Sequence, residues 1–289
     1  TAERLMQATG NTVYHMITQL IGAVLNCVLD PIMIFGLLGC PALGTTGAAL
    51  ATVLSQIIAM AIGFFINVKF NHDVHIRLRG FRPDGRILHE IVRIGLPAAM
   101  QQSLMSVLTV GFNRILMPFS QTAVGFYGIY YKLQNFLFMP IYGLNNALIP
   151  MIGYNYGAKN RRRIERITRY AMLLGLGIMA TGTLLFEALP VPLLRLFDAS
   201  ETMLAIGIPG IRIISTSFCL AGISLILSGC MQGLGRGSES LFVALLRQLI
   251  VILPLAALLA RYSLSAVWLS FPLAEAAGLL AARITVTKL

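Results

Sequence analysis

The chain has 289 residues, of which 57% are hydrophobic and only 11% are charged, and its mean hydropathy is +0.79. A soluble domain carries about 25% charged residues, so this composition excludes a water-exposed surface over most of the molecule and indicates a protein that lies in a lipid bilayer. The formal net charge of +11 does not predict nucleic-acid binding, because the basic residues stand mainly in short connections between apolar runs, where they are typical of membrane topology and of contact with anionic lipid.

The chain opens with Thr-Ala-Glu, with neither an initiator Met nor a signal peptide, and we expect it to be a fragment whose earlier spans are missing. Eight apolar runs follow, each long enough to cross a bilayer as a helix. They are residues 12–37, 46–68, 92–118, 122–150, 166–194, 203–230, 239–260 and 264–284. The predicted fold class is therefore an all-α polytopic membrane protein with eight transmembrane helices.

The connections between these runs alternate in charge. Sixteen Lys and Arg residues lie near the two ends and around the connections after the second, fourth and sixth spans, whereas the opposite connections hold only Arg195 and Arg261. By the positive-inside rule, the basic side is cytoplasmic. We therefore expect a multi-pass protein of the inner (plasma) membrane, with both ends of this sequence in the cytoplasm.

Two similar segments indicate an internal duplication. Residues 6–11 read Met-Gln-Ala-Thr-Gly-Asn and residues 231–236 read Met-Gln-Gly-Leu-Gly-Arg, and each segment precedes two apolar spans. Both lie on the predicted cytoplasmic side, so the two copies are parallel. We predict a twelve-helix transporter with two lobes, in which residues 1–68 supply the last two helices of the N-lobe, 69–91 a cytoplasmic interlobe linker and 92–289 a six-helix C-lobe.

An acidic residue within a membrane span is costly and indicates function by default. Asp30 ends an almost uninterrupted apolar run, and Asn26 lies four residues earlier on the same helical face. Pro31 is predicted to bend this helix and to leave a carbonyl near Asn26 without its donor. Carboxylate, amide and carbonyl oxygens could together bind Na⁺, and a desolvated Asp could equally carry a proton. The alternative is a structural Asp bonded to a neighbouring helix.

Polar residues in the later spans are candidates to line a cavity in the C-lobe. Lys132, Gln134 and Asn135 lie together in the fourth span, and Glu275 lies in the last span. We expect Glu275 to pair with Lys132 or Arg247, as a structural ion pair rather than as a coupling site. No nucleophile–base pair or P-loop occurs, so we predict neither an enzyme nor an ATP-driven pump, and no cofactor other than a coupling ion. His72 and His75 have the spacing of a metal pair, but no third ligand lies near them in the sequence, so we assign them to a solvated linker.

Three stretches of the chain resemble the bacterial branch of the multidrug and toxic compound extrusion (MATE) family. They are Gln7–Thr12 with Asn26–Pro31, Gly47–Thr52, and Lys132–Pro140 with Pro150–Ala158. The resemblance covers essentially the whole chain and places its start near the family's fourth helix. It implies a secondary exporter of organic cations and amphipathic toxins that works by antiport with Na⁺ or H⁺ and alternates between inward-open and outward-open states.

The resemblance also implies roles for particular residues. An Asp and an Asn of the family's N-lobe cation site match Asp30 and Asn26, and a Thr on the following helix matches Thr52. Some relatives carry acidic residues on two C-lobe helices, but residues 94–118 and 203–230 contain none, so we expect no sodium site in the C-lobe. The alternative function is a flippase for lipid-linked oligosaccharides from the same superfamily, which would need a cationic cavity. We expect a monomer whose partners are the bilayer and small organic cations or amphipathic drugs.

Overall fold

The computed structural model describes residues 5–7, 9, 12–71 and 84–287, and every regular element among them is helical. The longer helices are α1 (Thr12–Phe35), α2 (Gly44–Phe70), α3 (Gly85–Leu116), α4 (Gln121–Gly157), α5 (Arg161–Ala188), α7 (Glu201–Ser215), α8 (Phe218–Gly233) and α12 (Ser270–Thr287). The shorter ones are α6 (Pro190–Arg195), α9 (Gly237–Leu245), α10 (Ile252–Leu259), α11 (Leu264–Trp268), a 3₁₀ turn (Leu37–Gly39) and a π-helical turn (Leu246–Val251). The all-α prediction is confirmed.

Six helical segments within the described residues are long and apolar enough to cross a membrane. They are α1, α2, α4, α5, Gly237–Leu259 and Leu264–Thr285. The pair α7 and α8 meets the same requirement as one bent span. Helix α3 covers the third predicted span, but its polar residues, among them Glu90, Arg93 and Gln101, lower its hydropathy. The count of eight spans therefore stays a prediction.

The chain divides into two compact units, Thr1–Pro83 and Asp84–Leu289. This division falls within the predicted interlobe linker, residues 69–91, of which 72–83 lie outside the described residues. The first copy of the internal repeat, residues 6–11, is described only in part. The assignment of the units to two lobes of a larger transporter therefore stays a prediction.

The two long helices of the first unit pack along a face of small residues. The buried residues of α2 recur at every fourth position and so form one stripe along the helix. They are Gly47, Ala51, Ser55, Ala59, Gly63 and Asn67. A β-carbon on Gly63 would lie 3.1 Å from the methyl group of Thr18 in α1. Small residues at this spacing let helix backbones approach closely in a membrane, and this is how the sequence holds α1 against α2.

The two helices come very close together at Gly47, where an added β-carbon would overlap the main-chain carbonyl of Met33. We expect Gly47→Ala to force the helices apart and to lower the free energy of unfolding by about 1–3 kcal/mol, the usual cost of overpacking. Thermal unfolding of the purified protein in detergent measures this effect.

The matched control is Gly177→Ala in α5, because a β-carbon at Gly177 meets no atom within 4 Å beyond the neighbouring residues and backbone of its own helix. That substitution should be neutral or stabilising by about 0.5–1 kcal/mol. An equal loss of stability in the Gly47→Ala and Gly177→Ala proteins would contradict the close contact at Gly47.

The second unit has a core of aromatic side chains. The ring centroid of Phe112 in α3 lies 4.8 Å from that of Tyr127, 5.0 Å from that of Phe271 and 6.0 Å from that of Trp268. Trp268 is fully buried and also meets Phe126 edge-on at 5.1 Å. Each such pair contributes about 0.5–1.5 kcal/mol beyond its area burial, so this cluster ties α3, α4, α11 and α12 together.

The bent span of the second unit is interrupted between Ser215 and Phe218, where α7 and α8 differ in direction by 48°. A break in a membrane helix leaves main-chain groups that need other partners. The Thr183 hydroxyl of α5 lies 3.1 Å from the Ser215 carbonyl oxygen and shares its hydrogen with the Met179 carbonyl at 3.0 Å, and the Ser215 hydroxyl lies 2.9 Å from both Glu187 Oε1 and the Arg212 carbonyl oxygen. Helix α5 therefore supplies the partners that the break requires at Ser215.

Candidate functional site

Asn26, Asp30 and Thr52, which are predicted to bind the coupling ion, lie together in the first unit. Asn26 and Asp30 stand one turn apart on α1, and the Asn26 amide nitrogen Nδ2 lies 3.4 Å from Asp30 Oδ1. The same nitrogen lies 3.3 Å from Thr52 Oγ1 on α2. The Thr52 hydroxyl donates its hydrogen to the Ala48 carbonyl at 2.9 Å, so its oxygen remains to accept from Asn26. One amide group therefore links the carboxylate of α1 to the hydroxyl of α2.

The surroundings of this cluster leave it accessible. Asn26 and Asp30 are half-buried and Thr52 is exposed. Pro31 follows Asp30 within α1, which continues as a helix to Phe35. Because proline has no amide hydrogen, the Cys27 carbonyl lacks its usual helical donor and is a further oxygen close to the cluster in sequence. The bend at Pro31 stays a prediction.

The two hydrogen bonds of Asn26 bear on how the cluster would accept either coupling ion. Asn26 turns its N–H group, and not its carbonyl oxygen, toward Asp30 and Thr52. An N–H donor repels a cation, so Na⁺ would require the Asn26 amide to turn by half a rotation and present its oxygen. A proton on Asp30 would need no such turn, because the second carboxyl oxygen could still accept from Asn26.

No group of three or more His, Cys, Asp or Glu side chains converges within residues 12–71 and 84–285. The usual ligand sets of transition metals are therefore not found in that part of the chain. The oxygen atoms of a carboxylate, an amide and a hydroxyl are instead the ligands that hard cations prefer.

A second polar cluster lies inside the second unit, around a buried ion pair. Arg247 Nη1 lies 3.0 Å from Glu275 Oε2, and the two side chains are only 8% and 17% exposed. Glu275 therefore pairs with Arg247 and not with Lys132. Arg247 belongs to the π-helical turn, and Gly278 leaves room for its side chain, because a β-carbon there would lie 3.0 Å from three Arg247 carbons.

The ion pair lines a cavity of about 50 Å³. Gln248 also lines it, and the Gln248 side-chain oxygen is buried without a hydrogen-bond partner among the described residues. A cavity of this size can hold water or a small ion, whereas drug-sized ligands occupy pockets of roughly 300–1,000 Å³. This cavity is therefore too small for an organic cation as the unit stands.

The structure brings together only some of the residues predicted to line a cavity in the C-lobe. Gln134 and Glu275 both line the small cavity. The exposed Lys132 instead places its ammonium group 5.9 Å from the ring centroid of Phe197. Asn135 is half-buried and is not among the residues that line this cavity.

Tyr142 and Gln248 line the same cavity, and neither was singled out from the sequence. Both are polar residues within apolar runs, and nothing in the spacing distinguishes them from other such positions. The π-helical turn sets which side chains of its segment face inward, and a π turn leaves no clear signal in hydrophobic periodicity.

The comparisons with known proteins agree on one family of transporters. Residues 97–258 match the family model described as MatE. The chain is 30% identical over 285 residues to the multidrug export protein MepA of Staphylococcus aureus (strain bovine RF122 / ET3-1), a match that covers 98% of this chain and 62% of that protein. It is 27% identical over 284 residues to MepA of Staphylococcus saprophyticus subsp. saprophyticus, again covering 98% of this chain and 62% of the relative.

A solved structure with a similar fold represents the outward-facing conformation of a multidrug resistance MATE family transporter of the MOP superfamily. It superposes with a TM-score of 0.89 at 26% sequence identity, and the match covers 99% of this chain and 65% of that one. The chain thus spans about 62% of the length of the curated relatives that it matches.

Proposed function

This chain belongs to the bacterial branch of the multidrug and toxic compound extrusion (MATE) family, and from that premise we propose that it exports organic cations and amphipathic toxins across the inner membrane. Export is an antiport with Na⁺ or H⁺, and no other cofactor takes part. The chain supplies eight spans of a twelve-helix, two-lobe transporter with both ends of the sequence in the cytoplasm, and the transporter works as a monomer. The cargo class rests on the relatives, which are named multidrug export proteins.

The observation that carries the coupling proposal is the link that Asn26 makes between Asp30 on α1 and Thr52 on α2. A carboxylate in a membrane-spanning helix is costly and is retained where it binds or moves an ion. The Asn26 amide lies within hydrogen-bond reach of this carboxylate and of the Thr52 hydroxyl. The cluster therefore combines a group that can change charge with a contact between two helices that the change can alter.

Ion binding changes this contact in a definite way. When Na⁺ binds, the Asn26 amide turns its oxygen to the ion, and its N–H bonds to Asp30 and Thr52 are lost. When a proton binds, Asp30 becomes neutral and its bond from Asn26 weakens. In either case α1 and α2 lose part of their polar connection. Antiport follows if the ion and the drug have different affinities for the inward-open and outward-open states.

The small cavity of the second unit does not favour the flippase alternative. A carrier of lipid-linked oligosaccharides needs uncompensated positive charge to hold a pyrophosphate group. Arg247, a cation facing the small cavity, is neutralised by Glu275 at 3.0 Å.

The proposal is tested with the full-length natural product in proteoliposomes, with ethidium as the organic cation. We expect ethidium transport to follow an imposed Na⁺ or proton gradient and to stop when the matching ionophore removes that gradient. ATP should have no effect. Transport of ethidium that persists after both gradients are removed, or a requirement for ATP, would contradict secondary antiport.

A further inference from the structure

A groove runs along the second unit between the first turns of α5 and the last turns of α8. Its volume is about 930 Å³, and its apolar wall includes Ile164 and Met172 from α5 and Leu227 and Met231 from α8. Leu227 and Met231 are buried, so core packing fixes this wall. Leu234, just beyond α8, completes the apolar surface.

The rim of this groove is positively charged. Lys159, Arg161 and Arg236 line it together with a single acidic residue, Glu165. Arg161 pairs with Glu165 at 3.0 Å and Arg236 pairs with Glu239 at 3.2 Å, whereas Lys159 forms no ion pair with the described residues. Further arginines stand on the first turns of α5: Arg162, Arg163, Arg166 and Arg169.

The position of the groove matches the edge of a bilayer. Helix α5 is rich in arginine up to Arg169 and then apolar from Ala171 to Phe186, which is the pattern of a span that leaves the hydrocarbon region at its first turns. The groove therefore combines a basic rim at headgroup depth with an apolar wall that continues toward the hydrocarbon.

We propose that this groove binds an anionic phospholipid, with its phosphate at Lys159, beside the paired Arg161 and Arg236, and an acyl chain along Met172, Leu227 and Leu234. Basic pockets between membrane helices recognise anionic headgroups through charge, and the apolar wall favours a lipid over a water-soluble phosphate. The positive rim disfavours an organic cation in this groove. This inference does not depend on the coupling ion.

Native mass spectrometry of the delipidated full-length protein tests the proposal, with dioleoylphosphatidylglycerol as the anionic probe and dioleoylphosphatidylcholine as the neutral one. We expect tighter binding of phosphatidylglycerol. At about 1 kcal/mol per cation near the surface, each lost charge weakens binding about 5-fold, so Lys159→Gln with Arg236→Gln should weaken it about 25-fold. Leu234→Trp, which narrows the apolar part without changing the charge, should also weaken it.

Two control substitutions distinguish a change inside the groove from the loss of a charge or the gain of a bulky side chain elsewhere. Arg261→Gln removes an exposed cation from the connection between α10 and α11 and should leave phosphatidylglycerol binding unchanged. Leu196→Trp enlarges an exposed apolar residue outside the groove and should also leave phosphatidylglycerol binding unchanged. Thermal unfolding identifies any variant that has lost its fold, and the double glutamine variant, which changes only exposed side chains, tests the charge requirement if Leu234→Trp fails to fold.

Three results would overturn the proposal. The first is equal binding of the two lipids by the wild-type protein. The second is an unchanged phosphatidylglycerol affinity in the double glutamine variant. The third is full competition by inorganic phosphate with no effect of Leu234→Trp, which would indicate a site for a soluble anion.

Discussion

Replacing Asp30 with Asn in the full-length protein is expected to lower gradient-driven ethidium export by about 5- to 150-fold, the range of typical coupling between two ligands. Asn has nearly the same shape as Asp but cannot be protonated and carries no charge to attract Na⁺. The half-buried Asp30 side chain can be replaced in this way without changing the packing of α1, so membrane insertion and yield should not change. Initial rates of ethidium transport in proteoliposomes measure the effect.

Asp198→Asn is the matched control for this substitution. Asp198 is exposed, follows α6 and has a φ of 52°, a left-handed conformation that Asn adopts as readily as Asp. The control protein should transport ethidium at the wild-type rate. Thr52→Val, which removes the hydroxyl acceptor of Asn26, should lower the rate by a smaller factor than Asp30→Asn. Unchanged transport in the Asp30→Asn protein would remove Asp30 from the mechanism.

Glu275→Leu should be the most destabilising of the substitutions considered for the second unit. It leaves the Arg247 guanidinium, whose side chain is 8% exposed, without its counter-charge. Breaking a buried ion pair from one side costs about 3–5 kcal/mol, because the remaining charge stays desolvated. Denaturation in detergent, followed by circular dichroism, measures the loss.

The double substitution Arg247→Met with Glu275→Leu removes both charges and should recover most of the lost stability, since apolar replacements of a buried pair are often neutral or stabilising. The exposed pair of Arg195 and Glu201, 3.5 Å apart, provides the control: Glu201→Leu should cost less than about 1 kcal/mol. A Glu275→Leu protein as stable as the wild type would contradict the buried pair, and so would a double variant no more stable than the single one.

Features that arise within one helix could be predicted from the sequence, whereas contacts between helices could not. Long apolar runs predict helices directly, because a segment in lipid must satisfy its own main-chain hydrogen bonds, and all eight predicted runs are mainly helical. The spacing of Asn26 and Asp30 places them on one helical face by geometry alone. Thr52 lies on another helix, and only the family resemblance connected it to them.

The features that could not be predicted all depend on packing between elements. Glu275 had two possible partners in the sequence, and only the packed structure shows that it meets Arg247, which lies in the π-helical turn. The break between Ser215 and Phe218 is likewise stabilised from outside its own segment, by Thr183 of α5. The sequence of each segment predicts neither the Arg247–Glu275 pairing nor the break, because the same residues would also fit an unbroken α-helix.

We propose that Asp30, Asn26 and Thr52 hold the ion that exchanges with the exported cation. Isothermal titration of the full-length protein with ethidium, in buffers of different ionisation enthalpy and with or without Na⁺, tests it most directly. For the wild type we predict either proton release or Na⁺ competition on ethidium binding, and for Asp30→Asn we predict that ethidium still binds but that this ion dependence is lost. An ion dependence that persists unchanged in the Asp30→Asn protein would contradict the account.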